Sequence, residues 1–311
     1  MRVAVTGASG FVGARLCAAL AAHGTDVVAL SRVDGDLGDP GVDWSAQLAG
    51  AQAVVHLAAI AHERAEALER SGDHAAFRRV NAEGTERLAR QAGAAGVRHL
   101  VFASTIGVCG DETSGTPFTE ASPYAPCSLY ARSKQEAEER LARLRGQTPM
   151  RITILRPTLV YGPGNAGNFL RLLRLVRSGL PLPFGAIHNR RTLTYVDNLV
   201  SSIRAVLAYG GSETLFIICD SESLASGEIA ARLAEGMGRR LVQLPVPAAW
   251  LRLAGAATGR RDVVRRLVGS LEADNRRLRQ AAGWQPPVPA RDGLRATAEW
   301  FARAAARRDG E

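Results

Sequence analysis

The chain of 311 residues has a formal net charge of +9, and 46% of its residues are apolar and 22% charged. These values are typical of an ordinary soluble globular protein with a large core, and no apolar run is long enough to cross a membrane. The basic excess does not indicate a nucleic-acid-binding protein, because the arginines are dispersed without interleaved aromatic residues. The four cysteines lack the spacing of metal ligands, so we predict no metal site.

The chain opens with a predicted strand that is followed at once by a glycine-rich turn. Residues 2–6 form an apolar run, Gly7, Gly10 and Gly13 come next, and an alanine-rich helical pattern covers residues 14–23. Backbone N–H groups at such a helix start can hold the pyrophosphate of a dinucleotide, because glycine lets the phosphates approach closely. The alternative is a tight strand-to-helix turn without a ligand. The position directly after a strand favours the dinucleotide.

The end of the second predicted strand, residues 26–30, bears on the choice of dinucleotide. An NAD site usually presents an acidic side chain there to the ribose 2′-hydroxyl, whereas arginine can accommodate the 2′-phosphate of NADP. Ser31 and Arg32 stand at this place. The sequence therefore favours NADP(H). NAD(H) is the alternative, with Arg32 as a solvated surface residue and Asp34 as the ribose acid.

Strands and helices alternate along the first half of the chain. Further strands are predicted over residues 53–57, 99–103 and 151–155, and further helices over residues 77–95 and 130–145. Such alternation predicts an α/β fold with a doubly wound, parallel Rossmann sheet.

Glycine and proline become frequent after residue 161, which indicates a second structural unit. We expect residues 1–165 to form the dinucleotide-binding domain, completed by about residues 192–219, whose strands at 192–196 and 216–219 would return to the sheet. Residues 166–191 and 220–311 would then form a smaller C-terminal substrate lobe.

Tyr130 and Lys134 lie four residues apart in a predicted helix, and therefore on one face of it. A free phenol ionises near pH ~10, but a neighbouring cation favours the phenolate and brings proton exchange closer to neutrality. Such a pair suits proton transfer at the oxygen of a carbonyl. Many pairs at this spacing are simply solvated, so the interpretation depends on the other motifs of the chain.

Several motifs accompany this pair along the chain. They cover residues 6–13, 54–59, 80–85, 100–110 and 155–163. With these motifs the chain resembles the extended short-chain dehydrogenase/reductases, and the resemblance extends over nearly the whole sequence. The resemblance implies a Rossmann fold, a nicotinamide cofactor and, as in most members, a nucleotide-activated sugar as substrate.

The resemblance also implies roles for particular residues. Tyr130 would donate or accept the proton, Lys134 would lower the pKa of Tyr130 and hold the nicotinamide ribose, and Thr105 would bond the reacting oxygen. Ser104 is a competing hydroxyl, and Asn81 either braces the site or is a buried structural amide. The implied cofactor contacts are Gly7, Ser9, Gly10, Phe11, Val12, Gly13, Ser31, Arg32, Asp36, Leu37, Leu57, Ala58, Ala59, Tyr130, Lys134 and Pro157.

Residues 180–198 resemble the segment in which relatives hold a uridine diphosphate. By this resemblance Arg191 would meet a phosphate, for which the planar guanidinium is well suited. The alternative is a proline-stiffened connector with a solvated arginine pair. The residues implied in substrate binding are Ser104, Thr105, Asn168, Pro183, Phe184, Gly185 and Arg191, with His188, Tyr161 and Cys109 as further candidates for contact with the hexose.

Residues 181–191, together with Cys109 where many relatives carry tyrosine, resemble bacterial reductases of UDP-linked 4-keto-6-deoxy-N-acetylhexosamines. We therefore expect NADPH-dependent reduction of the C4 ketone to UDP-N-acetylquinovosamine or its C4 epimer, in surface polysaccharide biosynthesis. The alternative is a UDP-hexose 4-epimerase with bound NAD, although Leu159 replaces an asparagine common in epimerases. A third hypothesis, an NADP(H)-binding regulatory protein, would not need Thr105, Tyr130 and Lys134 together.

The resemblance further implies a homodimer. The first residues enter a strand without a secretory segment, so the expected location is the cytoplasm, without stable insertion into a membrane.

Overall fold

The computed structural model describes residues 1–165, 167–259 and 261–309, and gives no side-chain positions for residues 62, 63, 168, 262 and 307–309. The strands are β1 (Arg2–Thr6), β2 (Asp26–Leu30), β3 (Ala53–His56), β4 (His99–Ala103), β5 (Arg151–Pro157), β6 (Leu159–Tyr161), β7 (Arg191–Tyr195), β8 (Leu215–Ile218) and β9 (Ser223–Leu224). The helices are α1 (Phe11–Ala22), α2 (Ser45–Leu48), α3 (His62–Ser71), α4 (His74–Phe77), α5 (Gly84–Ala94), α6 (Leu129–Leu144), α7 (Asn168–Arg177), α8 (Val196–Ala208), α9 (Ser226–Gly236), α10 (Ala248–Ala257), α11 (Arg261–Val268), α12 (Arg276–Ala282) and α13 (Ala290–Asp309).

The central sheet confirms the predicted α/β, doubly wound fold. Six strands lie in the order β2-β1-β3-β4-β5-β8, and every pair of neighbours is parallel. Because the strand order reverses between β1 and β3, the crevice at their carboxyl ends is the place where doubly wound sheets bind ligands. Thr6 at the end of β1 is in register with His56 at the end of β3, so the segments that follow these strands meet at this edge.

Both faces of the sheet are covered. Along β1, Val3 and Val5 contribute to one apolar cluster with Leu16 of α1, while Ala4 belongs to a second cluster with Leu88 of α5. This alternation follows from the two-residue period of a strand, and burial on both sides explains why the parallel strands are almost entirely apolar.

The prediction that residues 192–196 return to the central sheet is wrong. They lie in β7, which pairs in parallel with β6 and antiparallel with β9 in a separate three-stranded sheet. Only β8 of the two expected strands joins the central sheet, beside β5. The small sheet carries Tyr161, Leu193 and Tyr195 in an apolar cluster that also contains residues of α7, α9 and α13. This second core packs the small sheet against α7, α9 and α13.

Among the described residues, no helix combines the length and the hydropathy needed to cross a membrane.

Candidate active site

The glycine turn after β1 is a tight structure that opens the N-terminus of α1. Gly7 has a φ of +68°, and a Cβ on it would lie 2.9 Å from the amide nitrogen of Ala58. A Cβ on Gly13 would lie 2.0 Å from the carbonyl oxygen of Gly7, so neither position tolerates a side chain without a backbone shift. Gly10 caps α1 without a side-chain hydrogen bond, and the first turn of the helix contains no acid. Unbonded amides at the start of this 12-residue helix fit the pyrophosphate of a dinucleotide.

The end of β2 places both candidates for ribose recognition in one turn. The carboxylate of Asp34 accepts hydrogen bonds from the amide and the hydroxyl of Ser31, at 2.8 and 2.9 Å. These bonds lower the pKa of Asp34, so it is ionised at neutral pH. Arg32 lies between them in the sequence and is exposed. The turn therefore presents the carboxylate of Asp34, held by Ser31, and the exposed side chain of Arg32 next to the crevice.

The other residues expected around the cofactor occupy different environments. Asp36 is exposed and accepts a hydrogen bond from Gly38, whereas Leu37 is buried and its carbonyl accepts one from Arg87. Phe11 packs beneath the turn at Gly162. Ser9 is exposed on the glycine turn, Val12, Leu57, Ala58 and Ala59 are half-buried, and Pro157 is buried at the end of β5.

His56 is a structural residue at the end of β3. Thr85 donates its hydroxyl proton to the carbonyl of Asn81, so it accepts from Nε2 of His56 at 2.9 Å. Nδ1 of His56 then accepts from the hydroxyl of Thr6 at 2.6 Å. Burial, together with the nearby Lys134 charge, lowers the pKa of this histidine to about 3. The ring is therefore neutral and fully bonded, in agreement with a structural role.

Tyr130 lies in the first turn of α6, and two side chains fix that turn. Ser128 accepts a hydrogen bond from the amide of Ala131 at 3.1 Å, as an N-cap residue does. Glu69 of α3 accepts one from the amide of Tyr130 itself at 2.8 Å. Glu69 had no recognisable signal in the sequence, since it lies 61 residues away from Tyr130.

Lys134 lies one turn further along α6 and is 2% exposed. Its ammonium donates to the carbonyl of Ala103 at 2.7 Å and lies 4.5 Å from the centre of the Phe102 ring. Burial lowers the pKa of Lys134 to about 7. One signal for this residue was overlooked in the sequence: Lys134 is the only lysine among 311 residues, whereas arginine occurs 38 times. An arginine could not replace it, because a guanidinium does not lose its proton in a protein.

The phenol does not respond to Lys134 as expected. Burial raises the pKa of Tyr130 to about 12, rather than lowering it below its ordinary value. The ammonium of Lys134 is directed at the carbonyl of Ala103, so desolvation of the phenolate dominates. In this arrangement Tyr130 keeps its proton at neutral pH, and Lys134 is the group poised to gain or lose one.

Thr105 follows β4 and faces the start of α6. Its hydroxyl oxygen accepts a hydrogen bond from the amide of Gly107 at 3.2 Å, which begins a short 3₁₀ helix over Ile106–Val108. A Cβ on Gly107 would lie 3.5 Å from the Thr105 hydroxyl and 3.6 Å from Cβ of Ala131. Thr105 and the residue after Tyr130 therefore meet across Gly107. The hydroxyl proton of Thr105 stays available for an acceptor.

Ser104 belongs to a buried cluster behind the site. Its hydroxyl donates to the carboxylate of Glu138, which also accepts from the hydroxyl of Tyr124 at 2.9 Å and from the guanidinium of Arg156 at 2.6 Å. Arg156 in turn lies 3.5 Å from the sulfur of Cys109. We expected Ser104 and Cys109 beside the substrate, but both are about 4% exposed and their polar atoms point into this cluster. The same cluster binds the phenol of Tyr124, which is therefore bonded away from Lys134.

Asn81 joins the crevice to the helix of Tyr130. It lies in a π-helical segment, Arg78–Glu83, and such segments often mark functional sites. Its side-chain oxygen accepts from the amide of Ile60 at 2.7 Å, and its nitrogen donates to Ser133 at 3.0 Å. Ser133 then donates to the carbonyl of Tyr130 at 2.7 Å. The amide thus braces the site through side chains and backbone.

Arg191 lies at the start of β7, and part of its guanidinium is already bonded. One terminal nitrogen donates to the carbonyls of Arg266 and Gly269, at 2.8 and 3.1 Å. Burial lowers its pKa below the ordinary arginine value, and Asp111 is a nearby acid. The main chain of Arg191 pairs with Leu271, and Leu271 belongs to a buried cluster that also contains Ile106 and Val108, shortly after Thr105.

Two depressions of about 420 and 620 Å³ lie around residues 187–189, which line both. Phe184 and Gly185 line the larger one, but the Phe184 ring is 3% exposed and belongs to the apolar core around the small sheet. Pro183 is half-buried, and His188 is exposed. Of the remaining candidates, Tyr161 is fully buried and therefore cannot contact a hexose, and the side chain of Asn168 lies outside the described residues.

The fold agrees with comparisons to known proteins. A profile of the NAD dependent epimerase/dehydratase family matches residues 3–219. The chain is 36% identical to a UDP-glucose 4-epimerase of Vibrio cholerae over 97% of this chain and 96% of that protein. It therefore belongs to the NAD-dependent epimerase/dehydratase family and is an enzyme of that family.

Solved structures show the same architecture. The UDP-glucose 4-epimerase of Thermus thermophilus, in complex with NAD, superposes with a TM-score of 0.75 and 25% identity over 97% of this chain and 99% of that one. RMD from Pseudomonas aeruginosa, complexed with NADPH, superposes with a TM-score of 0.74 and 25% identity over 97% of this chain and 99% of that one.

Proposed function

We propose that this enzyme carries out redox chemistry at C4 of a UDP-linked hexose, and that it reduces a UDP-4-keto-6-deoxy-N-acetylhexosamine with NADPH to UDP-N-acetylquinovosamine or its C4 epimer. The observation that carries the reductase is the exposed Arg32 at the carboxyl end of β2, where a guanidinium can meet a 2′-phosphate. The UDP moiety is inferred from Arg191 and from the names of the relatives.

Residues of the chain can bind the carbonyl oxygen at C4 and donate the proton that this oxygen needs. The hydroxyl oxygen of Thr105 accepts a hydrogen bond from the Gly107 amide, so the hydroxyl proton can be donated to the C4 carbonyl oxygen. Tyr130 holds its proton at neutral pH, because burial raises its pKa to about 12, and it can protonate the oxygen as negative charge develops there. A bound NADPH would supply the hydride at C4, and with the proton from Tyr130 the ketone would become a secondary alcohol. Lys134, with a pKa of about 7, can hold or release a proton at neutral pH.

The glycine turn and the end of β2 would hold the dinucleotide. The uncapped amides of α1 suit its pyrophosphate, and Gly7 and Gly13 leave no Cβ in the turn. Asp34 is the competing element, because its ionised carboxylate would suit the ribose hydroxyls of NAD.

A UDP-hexose 4-epimerase that retains NAD is the second candidate. The identity of 36% to a UDP-glucose 4-epimerase over almost the whole chain favours it, as does the carboxylate of Asp34. An epimerase would use Tyr130 first as base and then as acid, with no net oxidation of the cofactor.

The primary test is absorbance of the reduced nicotinamide with NADPH and the UDP-4-keto sugar. We expect stoichiometric oxidation, and a loss of about 10²–10⁴-fold in kcat for Tyr130→Phe. Tyr124→Phe is the matched control, because that phenol bonds Glu138 and should leave the rate within a few fold. No net oxidation, combined with interconversion of UDP-glucose and UDP-galactose, would establish the epimerase instead.

Cofactor preference is tested separately at the end of β2. A charge-assisted bond to a phosphate contributes about 1.5–3 kcal/mol, so Arg32→Ala should raise KM for NADPH by about 10- to 100-fold. KM for NADH should change little. If instead Asp34→Asn weakens NADH and Arg32→Ala leaves NADPH unaffected, the preference for NADP is wrong.

We further propose a homodimer through α5 and α6. The two helices carry both signs of charge, and the half-buried Arg140 of α6 bonds Glu86 of α5 and Glu136 of α6. A surface with both signs can contact its own copy without net repulsion. Sedimentation velocity over a range of concentrations should show the mass of two chains.

A further inference from the structure

The expectation that the arginines are dispersed without aromatic residues among them is wrong for one segment. Residues 239–266, which include Trp250, concentrate the basic charge of the protein. This segment contains seven arginines and one aspartate, so 28 residues carry a net +6 of the total +9. Among the described side chains, Arg239, Arg240, Arg252, Arg261 and Arg266 are exposed. The reaction at Tyr130 gives no reason for this concentration.

The same segment also exposes large apolar side chains. Trp250 and Leu253 of α10 are 68% and 67% exposed. They are followed at the next turn by Ala257, and residues three, four and seven apart share one helical face. Val242 and Leu244, which precede the helix, are 56% and 46% exposed. Most other tryptophans of the chain are better covered, since Trp44 and Trp284 are almost fully buried.

The two faces of α10 have different surroundings. Ala248 and Arg252 are four residues apart and line the smaller depression. At 100° per residue, Trp250 and Leu253 point to the opposite side, away from that depression. The apolar face therefore neither lines the depression nor belongs to the core around the small sheet.

Val242 and Leu244 are held on the outside by main-chain pairing. The amide of Leu182 donates to the carbonyl of Val242 at 2.9 Å, and that of Gly185 donates to Leu244 at 3.0 Å. Side chains alternate along such a segment, so Gln243 turns inward and donates to the carbonyl of Gly227, while its two neighbours turn outward.

We propose that α10 and the residues around it, 239–266, dock the enzyme on an anionic lipid surface. Tryptophan and leucine on one face with arginine beside them is the composition of helices that lie in a membrane interface. The ten-residue helix is about 15 Å long, half of what a bilayer crossing requires, so it lies in the interface and does not span it. A second copy of the chain does not suit this surface, because a symmetric contact would bring two +6 segments together.

Docking is measured by sedimentation with vesicles of phosphatidylcholine containing 30% phosphatidylglycerol, compared with pure phosphatidylcholine. We expect binding to the anionic vesicles that weakens with added salt, and a blue shift of tryptophan emission on binding. Trp250→Ser with Leu253→Ser should reduce the partition coefficient at least tenfold. Each arginine near an anionic surface contributes about 1 kcal/mol, or about fivefold in binding. Arg240→Gln with Arg261→Gln should therefore reduce the partition coefficient about 25-fold.

Matched controls distinguish vesicle binding through residues 239–266 from vesicle binding that depends only on the net charge of the protein. Arg295→Gln with Arg303→Gln removes the same charge from exposed sites on α13 and should leave vesicle binding within twofold. Val33→Ser removes an apolar side chain that is 98% exposed elsewhere, and it should have no effect on vesicle binding. Each variant should keep the far-UV circular dichroism of the parent.

Three results would overturn the proposal. One is vesicle binding that survives the Trp250 and Leu253 substitutions. A second is an equal loss in the α13 control. The third is no vesicle binding at low salt, with the same substitutions instead converting a dimer to a monomer, which would show that another copy of the chain covers α10.

Discussion

Replacement of Lys134 by methionine is expected to stabilise the protein while abolishing its activity. Lys134 is 2% exposed, and its pKa falls from an ordinary 10.5 to about 7 because burial disfavours the charged form. At neutral pH, Lys134 is therefore fully protonated in the unfolded chain and only partly protonated in the folded chain. Burial of Lys134 therefore lowers the free energy of unfolding, and we expect the residue to be needed for proton transfer rather than for stability.

The size of the effect follows from the two pKa values. At about 1.36 kcal/mol per pH unit, the interval from 10.5 to about 7 corresponds to about 5 kcal/mol, of which about 4 kcal/mol applies at pH 7. Methionine cannot donate to the carbonyl of Ala103, and an unpaired buried acceptor costs about 1–3 kcal/mol. The net gain is about 2 kcal/mol. For a chain of 311 residues, we expect the Tm to rise by roughly 3 °C.

The sign of the pH dependence distinguishes this cause from better packing. Below pH 7 the lysine is protonated in both states, so the full cost is present. Between pH 7 and 10.5 the unfolded chain binds more protons than the folded chain, so the stability of the parent rises with pH. Above pH 10.5 both forms are neutral. The advantage of Lys134→Met should therefore shrink steadily over this interval.

The single lysine makes the assay direct. Protein labelled with ¹³C at the lysine side chain should show one Cε resonance, whose titration reports the pKa of Lys134 alone. Urea unfolding of the parent and of Lys134→Met at several pH values gives the free energies. Lys134→Arg is the matched variant, and it should be less stable than the parent, because a guanidinium keeps its charge when buried. A Cε titration midpoint above pH 9, or a methionine variant less stable than the parent at pH 7, would refute the reasoning.

Two further predictions concern the support of the site. In Gly13→Ala the new Cβ would lie 2.0 Å from a carbonyl of the same turn. The dinucleotide affinity measured by calorimetry should therefore fall at least tenfold. The control Gly24→Ala, whose new Cβ would have no atom within 4 Å, should keep the affinity of the parent. Glu138→Gln leaves the buried Arg156 without a counter-charge and should cost about 3–5 kcal/mol in urea unfolding. The control Glu299→Gln, in an exposed pair, should cost less than about 1 kcal/mol. Equal losses in both glutamate variants would contradict the importance of burial.

The central sheet could be predicted from the sequence because its signals are local. Strands buried on both faces must be almost wholly apolar, and the turn after β1 needs glycine where a Cβ would strike backbone, as at Gly13. The strands β2 and β4 were predicted with their observed ends. The spacing of Tyr130 and Lys134 likewise needs only the helical period to place both on one face of α6.

The tertiary structure decided what depends on distant partners. A five-residue strand such as β7 reads the same in either sheet, and only its pairing with β6 placed it in the small one. Ser104 and Tyr130 illustrate the same limit in the site. Glu138, 34 residues further along, turns the Ser104 hydroxyl away from the crevice, and burial by the whole fold sets the two pKa values of the Tyr130–Lys134 pair. Sequence thus specified which groups are present and their local geometry, whereas desolvation and long-range pairing, which sum over the folded chain, fixed their charge states and orientation.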